Sequence, residues 1–385
     1  MASRSANAVL VRLLVAAALW LDGRALLACP FCTSLRPTLT QECERADLAF
    51  LGELASAKDT TWNVRVHRVL KSGDGLSKQI ALVEPICESG DVPHRGSLLL
   101  ALGTRKPGTT ASDVAWKVVA LDELSFGYVA QAPTFKKPAV ERLPYFLDYL
   151  ENADPLVAED AYLEFGHAPF DEIVKLAARL PIDRLRAWLA DEGVSTDRKG
   201  LYGLLLGVAA EAQSRHDVAD DFWKWINAPA SDFRSGFDGV LGGYLWLDQG
   251  KALARLEHLY LDDPHAPSGN LRHLITALRV YHDYGRGIPQ DELLKVYRRL
   301  LEKPELAAAA IADLRRWRDW QALDRVASLF GRPGYDEAAI EREIIAYLLA
   351  CPLPAAQPHV ARLRRLVPDR VKEAERLQSS ETEGE

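Results

Sequence analysis

The hydrophobic period of this sequence changes once, and that change constrains the architecture more than any motif does. Up to about residue 124 the apolar residues come in short alternating runs: Leu48-Ala49-Phe50-Leu51, Trp62-Asn63-Val64-Arg65-Val66, Gln79-Ile80-Ala81-Leu82-Val83, Leu98-Leu99-Leu100-Ala101-Leu102 and Trp116-Lys117-Val118-Val119. Turn chemistry such as Lys71-Ser72-Gly73-Asp74-Gly75 and Lys106-Pro107-Gly108 separates them. A period of two bounded by such turns is the signature of half-buried strands. Five or six of them predict a small antiparallel barrel or sandwich. From residue 141 onward the apolar stripes take helical spacing, as in Leu271, Leu274, Ile275 and Leu278, or Ile340, Ile344, Ile345 and Leu348. Breaks near Pro169, Gly193, Pro229, Pro264, Pro289, Pro304, Gly331 and Pro352 divide this part into about a dozen helices, more than one bundle core buries. Stacked helical hairpins are expected, without a repeated residue signature. The prediction is an α+β multidomain chain: a β domain over 29–130, a linker over 131–140, a helical domain over 141–378 and a disordered acidic tail over 379–385.

Residues 13–21 form an apolar run behind Arg4 and Arg12. That is too short to span a bilayer and suits the core of a signal peptide, so residues 1–28 are expected to be removed on export to a secreted or periplasmic address. Leu26-Leu27-Ala28-Cys29 also looks like a lipobox, which would acylate Cys29, although Asp22 and Arg24 interrupt the apolar run. No later stretch has the length of a membrane span. The full chain has 47 basic and 54 acidic side chains, a net charge of −7. Without the leader's Arg4, Arg12, Arg24 and Asp22 the balance is 44 to 53, or −9. Residues 29–150 hold 14 of each sign, so the whole excess lies in the helical part. Such a charge argues against nucleic acid as a partner and for a protein with a basic surface.

Four of the five cysteines, Cys29, Cys32, Cys43 and Cys87, crowd into the first part of the exported chain, and Cys351 sits in an apolar helical pattern. In an oxidising compartment the four are expected to form two disulfides, Cys29 and Cys32 each pairing with Cys43 or Cys87.

The sequence Cys29-Pro30-Phe31-Cys32 after a leader, then Cys43-Glu44-Arg45-Ala46-Asp47-Leu48-Ala49-Phe50-Leu51-Gly52-Glu53-Leu54, a strand ending Val69-Leu70-Lys71-Ser72-Gly73, and Cys87 before another apolar strand resembles the netrin-like domain shared with tissue inhibitors of metalloproteinases. The resemblance covers a quarter to a third of the chain. It implies an OB-type barrel with its N-terminal cysteines pinned by disulfides, and a protease-zinc ligand at Cys29 if cleavage follows Ala28. The spacing departs from the family, Cys-x-x-Cys replacing Cys-x-Cys, and no late cysteine precedes residue 150. The helical part is similar to HEAT-type repeats in period, which implies a protein-binding surface.

Chemistry-bearing groups are sparse. Cys29 and Cys32 could exchange disulfides, but no strand precedes them to build the usual redox site. Thr33 stands where haem attachment needs a histidine. Glu164-Phe165-Gly166-His167 has a carboxylate-bridged di-iron spacing without a second copy. His258, Asp262, Asp263, His265, His273 and His282 could meet across one hairpin as a polar cluster. Trp223, Trp225, Trp246, Trp317 and Trp320 could serve a glycan-active helical toroid with Asp220, Asp221, Asp262 and Asp263, but helical-face spacing reads them as core and caps. No metalloprotease, nucleophile-elbow, P-loop or dinucleotide motif occurs. The resulting expectation is an exported, non-catalytic protein-binding scaffold without cofactor. The alternatives are a thiol oxidoreductase at Cys29 and Cys32, a glycan-active toroid and a metalloprotease-inhibitor-like protein.

Overall fold

The computed structural model describes residues 36–72, 77–88, 93–105, 114–229 and 234–383. Two compact units divide the chain, one ending at Leu176 and the other beginning at Ala177. The expected division at 131–140 differs from this, because helices on both sides of that stretch belong to the first unit.

The first unit opens with α1 (Leu39–Arg45), started by a capping box in which Thr38 Oγ1 accepts from Gln41 N at 3.1 Å and Thr38 N donates to Gln41 Oε1 at 3.0 Å. Strands follow where the alternation placed them: β1 (Leu48–Lys58), β2 (Thr61–Lys71), β3 (Gln79–Val83), β5 (Leu98–Arg105) and β6 (Val114–Leu121), with a two-residue β4 (Ile86–Cys87) between. Their order is β3-β2-β1-β5-β6-β4. The alternating faces bury Phe50, Leu54, Trp62, Val64, Leu82, Leu99, Ala101, Trp116 and Val118 in one core, where Phe50 meets Trp116 edge-on at 5.7 Å.

The all-antiparallel barrel expected above is instead a curled, mixed half-barrel, since β4 pairs with β6 in parallel. The cause lies in the connection. β3 and β4 occupy opposite edges of the sheet, yet only Glu84 and Pro85 join them. Two residues span about 10 Å at most, so the sheet must curl until its edges approach. The chain crosses that seam without reversing, and β4 runs in the direction of β6.

Four helices complete the unit: α2 (Glu123–Gln131), capped by Asp122 with Ser125, α3 (Ala139–Leu147), α4 (Pro155–Gly166), with Asp154 as N-cap and Pro155 as first residue, and α5 (Phe170–Val174).

The second unit is entirely helical: α6 (Ile182–Ala190), α7 (Thr196–Ala212), α8 (Val218–Asn227), α9 (Phe237–Tyr260), α10 (Ser268–Tyr284), α11 (Gln290–Arg299), α12 (Pro304–Arg316), α13 (Leu323–Leu329), α14 (Ala338–Ala350), α15 (Gln357–Leu366) and α16 (Pro368–Glu383). Its principal packing partners are one or two helices apart in sequence: α6 on α7, α7 on α9, α9 on α10, α10 on α12, α12 on α14 and α14 on α16. Among the described residues no helix is long and apolar enough to cross a membrane. Helix α16 runs to Glu383, so most of the stretch expected as a disordered tail is helical. Val371 and Ala374 anchor its first half, and adding residues to a nucleated helix costs little.

The closest packing in this unit corrects a second expectation. Gly200, Gly203 and Gly207 on α7 recur 36 residues later as Gly236, Gly239 and Gly243 at the start of α9, a repeated signature that hydrophobic spacing concealed. These two faces meet backbone to backbone. A Cβ on Gly207 would stand 2.1 Å from the Gly243 carbonyl oxygen, and one on Gly239 would stand 1.9 Å from that of Gly200.

Candidate functional site

The first unit holds a half-open pocket of about 300 Å³. One wall is α1, with Leu39, Thr40, Cys43 and Glu44; a second is the end of β2, Arg68 to Lys71; the third is the end of α2 and the loop after it, including Tyr128, Val129, Pro133, Phe135 and Lys136. Asp160 of α4 lies at its base.

Asp160 belongs to a buried polar network that fixes these walls together. Asp160 and Glu164, one turn apart, share a face of α4 that is otherwise apolar. Asp160 Oδ1 accepts from Leu39 N at 2.7 Å and Oδ2 from the Tyr128 hydroxyl at 2.6 Å. Glu164 accepts from Thr40 Oγ1 and pairs with Arg142, whose Nε donates to the Lys137 carbonyl at 3.1 Å and whose guanidinium lies 4.8 Å from the Phe135 ring centre. Tyr145 donates to the Tyr128 carbonyl at 2.7 Å. Asp160, Glu164 and Arg142 are each at most 4% exposed. Buried charges at such a depth persist when paired and hydrogen-bonded, as Arg142 and Glu164 are with each other; Asp160 has no cation among the described residues and relies on hydrogen bonds alone.

Burial, with Glu164 beside it, pushes the Asp160 carboxyl up to about 7, against the downward pull of its bonds from Tyr128 and Leu39 N. Burial likewise pushes the Cys43 thiol up to about 12, with Asp160 and Glu42 adding to the effect. In its reduced form Cys43 would stay a neutral thiol at physiological pH, a poor nucleophile in this setting.

Charge at the pocket mouth is unevenly engaged. Lys136 lies 3.2 Å from Glu44, and Lys71 Nζ donates to the Glu44 carbonyl. The Arg68 side chain is exposed and makes no hydrogen bond or ion pair among the described residues.

The residues singled out from the sequence are dispersed. Cys29 and Cys32 lie outside the described residues. Cys43 is on α1 and Cys87 on β4; Glu42 and Glu88, their neighbours, both reach Lys117 Nζ at 2.6 Å. Among the described residues no two cysteines are bridged. Glu164 and His167 do not converge on one ligand point: Glu164 is held by Arg142 and Thr40, and His167 Nε2 lies 2.7 Å from the Arg36 carbonyl.

In the second unit the six-residue cluster separates into four local environments. His258 Nδ1 lies 2.9 Å from Asp262, which also pairs with Arg299 at 2.8 Å. Asp263 accepts from His265 N at 2.8 Å within a turn. His273 is buried on α10 against the Phe237 ring, and burial pushes it down to about 4. His282 stacks on Trp317 at 3.7 Å, with Asp283 at 3.1 Å and Gln290 at 3.0 Å. No group of three or more potential metal ligands occurs among the described residues. Several of the other candidate acids and aromatics join neighbouring helices. Asp221 pairs with Arg186, Trp246 packs edge-on to Tyr281, and Trp320 does so to Tyr347.

No known protein family, curated protein or solved structure matches this chain. The pocket's Tyr128 and Asp160, and Arg142 of the buried network, escaped sequence reading, although two acids one turn apart on an apolar helical face were a visible sign of such a network.

Proposed function

We propose that the exported chain is a non-catalytic protein-binding scaffold, in which an OB-type β unit tied by disulfides precedes a HEAT-like array that receives a partner with a basic surface. One observation carries the reading: the second unit is built by stepwise packing of neighbouring helices, with polar rungs joining α10 through α14. Arg279 on α10 grips Asp313 on α12 at 2.9 and 3.0 Å, and Tyr297 on α11 donates to the same carboxylate. Arg298 donates to Asp319 at 2.7 Å through both Nε and Nη2, and Tyr347 donates to the Asp319 carbonyl at 2.6 Å. Asp283 meets Arg316 at 3.0 Å, 33 residues away. Arrays stabilised mainly between neighbours present long exposed faces suited to proteins, and here the polar groups that could have served chemistry bind the helices to each other.

The excess negative charge of the helical part supports a basic partner. For the first unit, the curled sheet supports the OB-type reading, and the disulfide reading rests on the four cysteines that crowd the start of the exported chain. The test uses the full exported chain as bait in its own exported fraction. A specific protein should be retained at low salt and released as ionic strength rises, and reversing the exposed acids Asp291, Glu292, Asp336 and Glu337 should reduce its capture. Glycan cleavage abolished by a single change at Asp220, Asp262 or Asp263 would replace the scaffold with the toroid.

A further inference from the structure

The pocket of the first unit has features that a scaffold does not require. Its walls are apolar on three sides, through Leu39 from α1, Val69 from β2 and Val129 and Phe135 from the α2 side. Val69 is 43% exposed, a large aliphatic group left open to water beside a concavity. Leaving such surface wet forfeits hydrophobic stabilisation, which an apolar occupant would restore.

The electrostatics fix the sign of the occupant's head. Two acids line the pocket, and both are engaged: Asp160 has each oxygen committed inside the protein, to Leu39 N and the Tyr128 hydroxyl, and Glu44 is held by Lys136. The cations at the mouth are less occupied. The Arg68 side chain has no partner among the described residues, and Lys136 keeps 72% of its side chain exposed while sharing one acid. The unspent charge is therefore positive, at the rim and not at the base.

The volume fixes the size. About 300 Å³ holds roughly ten atoms of methylene or water size, too little for a folded partner and enough for a short chain or a single ring system.

We propose that this pocket binds a small amphipathic carboxylate, its apolar body of roughly ten non-hydrogen atoms against Leu39, Val69, Val129 and Phe135, and its head on Arg68 with Lys136. Arg68 suits this role because its planar fork bonds a carboxylate through two parallel N–H groups. The site is independent of whatever the helical array binds, and the two can fail separately.

The test is isothermal titration of the full exported protein with three probes built on ten-carbon chains: decanoate and decyltrimethylammonium, each below its micellar concentration, and decanol below its solubility limit. Decanoate should bind saturably at one site, decanol more weakly and the ammonium not measurably. The double variant Arg68→Glu/Lys136→Glu should weaken decanoate about tenfold or more, the loss of roughly one charge-assisted contact, and leave decanol unchanged. Val69→Gln should weaken both. All three positions are on the surface, and circular dichroism verifies that each variant is folded. Absence of saturable decanoate binding would overturn the proposal, as would equal binding of the ammonium or a double variant that binds decanoate as well as the parent.

Discussion

Replacing Gly207 with alanine adds one methyl group to a helix, which in isolation favours the helix by about 1 kcal/mol. In this chain the effect should reverse. The new Cβ would stand 2.1 Å from the Gly243 carbonyl oxygen and 2.4 Å from its Cα, whereas a carbon–oxygen contact relaxes at about 3.3 Å or more. Backbone atoms of α9 cannot rotate aside as a side-chain tip does, so the two helices must separate by about 1 Å along their whole contact. Overpacking of this kind costs about 1–3 kcal/mol, and the rigid opposing atom places Gly207 at the upper end. Subtracting the helix gain leaves a net loss of about 2 kcal/mol, which lowers the melting temperature of a unit this size by about 4–8 °C. Gly127 in α2 is the control, because its added Cβ meets nothing nearer than Gln131 Nε2 at 4.0 Å. Gly127→Ala should stabilise by up to about 1 kcal/mol. Calorimetry and urea unfolding followed at 222 nm measure both variants. A Gly207→Ala protein as stable as the parent would refute backbone contact between α7 and α9.

Other perturbations test the polar interior. The folded-state value of Asp160 lies above its ordinary one, so this group's contribution to stability is present below about pH 4 and lost as pH rises through about 7. The loss is on the order of 4 kcal/mol; Asp160→Asn should therefore gain on the parent across that window in urea melts, and a constant difference would exclude the linkage. His273 works in the other direction. Its stabilisation is full above about pH 6.5 and declines as pH falls through about 4, by about 3 kcal/mol, and His273→Gln should flatten that acid limb. Asp313→Ala strips Arg279 and the buried Tyr297 hydroxyl of their acceptor and should cost about 3 kcal/mol, against less than about 1 for Glu159→Ala at the exposed Arg36 pair. Non-reducing peptide mapping of the exported protein should find Cys29 and Cys32 each joined to Cys43 or Cys87; a Cys29 to Cys32 bridge would instead favour the oxidoreductase.

The strands were legible because alternation is a local property: Trp62, Val64 and Leu82 face the core at the spacing their sequence displays. The parallel β4 was not, since Ile86 and Cys87 carry no period, and their pairing depends on how far the sheet has already curled. The division of the second unit into helices was legible in outline from the breaks at Pro264, Pro289 and Pro304. The α7 and α9 contact was hidden for a physical reason, since glycine contributes nothing to a hydrophobic stripe even where it decides how closely two helices approach. The pocket was invisible for another. Leu39, Arg68, Phe135 and Asp160 lie on four separate segments, and nothing local in Asp160 distinguishes an acid held by Tyr128 from one on a solvent face.

The two-residue link across the seam of the half-barrel bears on solubility. A sheet whose outer strands lie far apart offers two ladders of unpaired amide groups to other molecules, the usual route to ordered aggregation. With Glu84 and Pro85 tying β3 to β4, each margin of this sheet stands close to the other, and Pro85 brings no N–H of its own. Lengthening that link would let the margins part, so an insertion there should leave the core intact and yet raise self-association with concentration above that of the parent.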